Sequence, residues 1–202
     1  MQKDQAERAL QIIRDTIQNT REDLAEQNWG ATWMCHAFSN AAGFAAVGYF
    51  VEREQRPILA YLVPLSIVAV VNLVIIAALI DRDRGVRSFV ERQIHGIWMS
   101  FTVFGAVGVL VIELGDLPPA SYGPILALTS GFAFAVMGVV FSVRFLATAV
   151  AFVVLALVSP AFVEVQWYLV ATLWWVALMV PGITLHREKR RRRADDGRTE
   201  IA

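Results

Sequence analysis

The chain has 202 residues, 56% hydrophobic and 18% charged, with a mean hydropathy of +0.52; soluble domains carry about 25% charge, so this composition calls for an apolar solvent. A formal net charge of zero excludes the overall basicity of a nucleic-acid binder, and the single cysteine, Cys35, excludes an intrachain disulfide and a multi-cysteine metal site. The first 28 residues are heavily charged, with no apolar core ahead of a small-residue cleavage site, so no removable signal peptide is expected and the first span is expected to act as the insertion signal.

Residues 1–28 are predicted to form a cytoplasmic amphipathic helix. Its apolar positions Ala6, Leu10, Ile13, Ile17, Thr20 and Leu24 alternate spacings of four and three, the narrow seam of a coiled coil. Three heptads are marginal for an isolated coil, so the seam is expected to lie on the ends of the chain's own spans or to pair with a second copy. An anionic membrane surface suits it less, because residues 1–27 carry four basic and six acidic side chains.

Residues 29–183 are predicted to be a six-span transmembrane domain, which makes the fold class all-α. A hydrocarbon core of about 30 Å needs roughly 20 apolar residues per helix, with every backbone polar group satisfied inside the segment. Six stretches qualify: 29–50, 58–80, 94–114, 122–141, 143–162 and 165–183. Charged segments separate the first three, and Pro118 with Pro119 marks the turn after the third. The run 122–162 is almost unbroken, but one helix of that length would reach about 60 Å at 1.5 Å per residue. The chain is therefore expected to reverse at 142–145, beside Arg144, the only charge in the run. In the second span Pro64 is expected to kink the helix.

Basic residues near short loops stay in the cytoplasm. An even number of spans places sixteen of the eighteen Lys and Arg side chains on the side of the two termini, with only Arg53 and Arg56 opposite. Both termini are therefore expected to be cytoplasmic. Aromatic residues near the span ends, among them Trp29, Trp33, Tyr61, Tyr122 and Trp167, fit an interfacial belt. Residues 184–202 are expected to be a disordered basic cytoplasmic tail, in which Arg190, Arg191, Arg192 and Arg193 anchor the last span and could hold lipid headgroups.

Polar side chains inside a bilayer are costly and so point to function. In the first span His36, Ser39, Asn40 and Gly43 share one helical face, and Asn72 of the second span lies at about the depth of His36, which suggests a hydrogen bond between them. Thr129 and Ser130 of the fourth span are level with Asn40. His36, Ser39, Asn40, Asn72, Thr129 and Ser130 thus form the candidate polar pocket, read either as a solute or proton path or as hydrogen-bond glue between helices. Small residues recur at four-residue spacing, as in Ala41 with Ala45 and Ala147 with Ala151, and such faces let helices approach closely. Trp174 and Trp175 fall at mid-span and are expected to fill the bundle or face lipid, with an aromatic ligand wall as the alternative. The sequence contains no Gly-x-Ser-x-Gly elbow, no His-Glu-x-x-His and no phosphate-cradling glycine loop. His36, His95 and His186 fall on different elements without carboxylate or thiolate partners at ligand spacing. No catalytic residue, metal or cofactor is expected.

The pattern Arg8-Ala9-Leu10-Gln11-Ile12-Ile13-Arg14, then Thr20, then Trp29-Gly30 leading into the first span, resembles uncharacterised bacterial multi-span inner-membrane proteins with a short charged N-terminal helix. The similarity covers mainly the first 50 residues. It implies a bacterial inner membrane and brings no activity and no functional residues with it. Expected partners are the lipid bilayer and a second copy or another membrane protein, with no nucleic acid. The leading expectation is a non-enzymatic scaffold or regulatory subunit; a small-solute channel or carrier lined by His36, Asn40 and Asn72 is the alternative, and a membrane enzyme a distant third.

Overall fold

The computed structural model describes Gln11 and residues 28–51, 53, 57–79 and 89–199. The amphipathic seam of residues 4–27 lies outside the described residues apart from Gln11. The described chain is built of helices: α1 (Trp29–Val51), α2 (Pro57–Leu79), α3 (Phe89–Leu114), α4 (Tyr122–Val140), α5 (Arg144–Val158) and α6 (Gln166–Thr199), with short 3-10 turns at Pro119–Ser121 and Ser159–Phe162. Five of the six, α2 to α6, are long and apolar enough to cross a membrane. The first expected span, α1, is just as long and uncharged, but Thr32, His36, Ser39, Asn40 and several glycines dilute it. Its lower hydropathy fits its position, because α1 lies between α2 and α6 and much of it meets protein.

Consecutive helices run antiparallel. Asn28 donates from Nδ2 to the Leu79 carbonyl (3.3 Å), joining the start of α1 to the end of α2, and the Trp29 ring meets His95 near the start of α3 edge-on (5.8 Å). The Lys189 ammonium donates to Asn28 Oδ1, so the polar end of α6 lies beside the start of α1. These helix ends form the basic end of the bundle. Asn28 has φ 63°, a left-handed conformation that asparagine tolerates better than most residues.

The tightest pairing is between α1 and α6. A Cβ on Gly30 would lie 2.6 Å from His186 N and 2.8 Å from the Gly182 carbonyl, and one on Gly182 would lie 3.0 Å from the Gly30 carbonyl. Only paired glycines allow the two backbones so close. The α4–α5 reversal falls at Phe141–Val143: Phe141 N and Ser142 N both donate to the Met137 carbonyl, and Gly138 leaves room for Leu146 on the returning helix.

Trp174 of α6 is the hub of the core. Its ring lies 5.1 to 6.0 Å from those of Phe44, Trp98, Phe101, Phe134 and Phe152, which come from α1, α3, α4 and α5. Trp175 turns outward and is 38% exposed. Trp29, Trp33, Tyr61, Tyr122 and Trp167 lie at helix ends as a belt requires, yet each is at most 4% exposed and packs inward. Ring-on-ring contact explains the difference: Tyr61 stacks on Tyr122 at 4.2 Å and lies 5.4 Å from Trp167.

The last helix continues beyond residue 183 to Thr199, so Arg190 and Arg191 stand exposed on α6 itself. The side chains of Arg192 and Arg193 lie outside the described residues.

Candidate functional site

The face of α1 that carries His36, Ser39, Asn40 and Gly43 turns toward α2, where Gly43 lets Val68 settle against the α1 backbone. Two hydrogen bonds join the helices there. Asn72 Nδ2 donates to Asn40 Oδ1 at 2.8 Å, and His36 Nε2–H donates to the backbone carbonyl of Asn72 at 3.3 Å. The expected His36–Asn72 bond thus exists, but its acceptor is main chain. Ser39 Oγ and Asn72 Oδ1 are buried without a hydrogen-bond partner. Since a carbonyl oxygen has two lone pairs and a hydroxyl can both donate and accept, this trio keeps unused polar capacity.

Thr129 and Ser130 do not join it. Thr129 Oγ1 donates to the Ile125 carbonyl of its own turn (2.7 Å). Ser130 Oγ donates to the Leu126 carbonyl (2.7 Å) and accepts from Trp174 Nε1 (3.1 Å), so it anchors the aromatic hub. The candidate pocket therefore divides into an α1–α2 trio with Ser39 beside it, and a separate α4–α6 pair. No three His, Cys, Asp or Glu side chains converge among the described residues.

Two features escaped sequence reasoning. At the end opposite the basic one, the Tyr122 hydroxyl donates to Glu113 Oε1, and Gly123 N donates to Gln166 Oε1 at 3.0 Å. The signal was available: Glu113 and Tyr122 flank the proline turn nine residues apart. The second is a cleft of about 500 Å³ between α5 and α6. Arg144, Ala147, Thr148 and Ala151 line one wall and Val176, Val180, Thr184 and Glu188 the other, with Trp33 and Phe145 behind. The small Ala147 and Ala151 hinted at close helix packing, but the structure places them at a gap.

No family model matches the chain, and comparison with curated proteins and with solved structures returns no similar one.

Proposed function

We propose that this chain is a multi-pass protein of a bacterial inner membrane, with six spans and both termini cytoplasmic, that acts without catalysis as a scaffold or regulatory subunit through helix–helix association. The observation that carries the reading is the open face of α3. Gly96 and Ser100, one turn apart, are exposed, and a Cβ at Gly96 would meet nothing within 4 Å. Gly43, Gly131 and Gly138, by contrast, are already packed against Val68, Ala149 and Leu146. A small-x-x-x-small face in lipid lets a second helix come close, where van der Waals contact drives association. Filled volume at the bundle centre, where Trp174 meets five rings, argues in the same direction by leaving little room for a solute path.

Crosslinking of the detergent-solubilised protein tests this. The wild type is expected to give a dimer or a complex with a partner, weakened by Gly96→Leu with Ser100→Leu and by deletion of residues 1–27. A monomer in the wild type and in the deletion alike overturns the reading.

A channel or carrier is the second reading, favoured by the unpartnered Ser39 Oγ and Asn72 Oδ1 beside His36 and Asn40. Flux through proteoliposomes that falls in His36→Ala and Asn40→Ala would support it, and no flux under any gradient removes it.

A further inference from the structure

The α5–α6 cleft has a shape and a charge arrangement that association does not use. Its α6 wall runs from Leu173 to Glu188, fifteen helical steps, or about 22 Å at 1.5 Å per residue. A bilayer with its headgroups is about 40–45 Å thick, so this is the depth of one leaflet. A volume of about 500 Å³ falls in the range of small-molecule sites, about 300–1,000 Å³. The deep part is apolar, lined by Ala151, Leu173, Val176, Ala177 and Val180. Charge enters only at the basic end, where Arg144 stands on the α5 wall and Glu188 on the α6 wall. Neither makes an ion pair with the other or with any further group among the described residues. Ser142 and Thr148 add hydroxyls near the same mouth.

We infer that the cleft holds one phospholipid with an amine-bearing, zwitterionic headgroup of the phosphoethanolamine kind. One acyl chain lies between α5 and α6 along the small Ala147 and Ala151. The phosphate accepts hydrogen bonds from the Arg144 guanidinium, and the ammonium donates to the Glu188 carboxylate. Arg144 alone would suit any anionic lipid; the Glu188 carboxylate on the other wall selects a headgroup that also carries a positive charge. Both charged groups of this chain are then satisfied at the membrane boundary. The inference rests on the membrane-spanning reading and is independent of whether the chain self-associates.

Native mass spectrometry of the full chain, released from nanodiscs containing equal phosphatidylethanolamine and phosphatidylglycerol, reads the occupant directly. The wild type is expected to retain one phosphatidylethanolamine in preference to phosphatidylglycerol. Glu188→Gln should lower that preference about tenfold, the loss expected of one charge-assisted contact. Arg144→Gln should lower retention of both lipids, and Ala147→Leu, which fills the apolar slot, should remove the retained lipid while far-UV circular dichroism and monodisperse elution stay unchanged. Retention that is equal for the two lipids, or that survives Ala147→Leu, overturns the inference. So does a photo-crosslinking side chain at Ala147 that captures residues 1–27 or a second copy in place of lipid.

Discussion

Ser130 and Thr129 are neighbours on α4 with similar side chains and different duties. Ser130 Oγ accepts from Trp174 Nε1 at 3.1 Å, and that tryptophan is 2% exposed at the meeting point of four other helices. Removing the hydroxyl leaves a buried indole N–H with nothing to bond, a loss of about 1–3 kcal/mol. Thr129 bonds only the carbonyl one turn back, which keeps its intrahelical partner without it. Ser130→Ala should therefore lower unfolding stability in mixed micelles by about 1–3 kcal/mol, while Thr129→Ala should change it by less than about 0.5 kcal/mol. Equal effects of the two substitutions would contradict the Trp174 anchor. The same contrast explains why the candidate pocket was only partly legible. Rise per residue gives the depth of a side chain in a span, and depth paired His36 with Asn72 and put Ser130 level with Asn40. Sequence does not say which way around the bundle a residue points, so Ser130 was grouped with α1 although it serves α6.

For the helices, apolar run length and charge were enough to locate every boundary to within a few residues, except the start of α3 and the end of α6. Both of those extend into polar sequence, because a helix that already has a turn in place continues at low cost into residues of good propensity such as Arg and Glu. The reversal at Phe141–Val143 was legible from a limit on length together with one arginine. Pairing between helices was not, since α1 and α6 are far apart in sequence and meet through single glycines. The consequence is measurable. A methyl group at Gly30 would sit 2.6 Å from His186 N, backbone that cannot swing aside, so Gly30→Ala should destabilise by about 1–3 kcal/mol or more through overpacking. Within the single chain, Gly96→Ala adds the same methyl group where nothing lies within 4 Å and should leave the fold unchanged or gain up to about 1 kcal/mol from helix propensity, apart from any effect on association. Thermal unfolding of the two variants in one detergent compares them directly; a destabilised Gly96→Ala with an unaffected Gly30→Ala would reverse the assignment of buried and open helix faces.

At the scale of the whole molecule, the antiparallel order of six helices brings residue 28 and the α6 tail to one end. The same order brings Arg144 and Arg187 to that end and leaves Arg53 at the other, where its guanidinium lies 3.9 Å from the Tyr49 ring centroid. Among the described residues, basic side chains thus gather at one end with Arg53 at the other, and segregation of this kind sets orientation during insertion. Because Cys35 is the chain's one thiol, Cys35→Ser clears the background for single-cysteine labelling. With a membrane-impermeant maleimide applied to intact cells, Arg53→Cys and Leu117→Cys should react from outside. Ser142→Cys and Arg187→Cys should react only after the membrane is opened. The decisive site is Ser142, in a three-residue turn with no charge except the adjacent Arg144: if it is labelled from outside while Arg187 is not, α4 and α5 do not both cross. The basic end would then no longer be a single membrane face, whereas labelling of Arg187→Cys from outside would overturn the cytoplasmic placement of the termini.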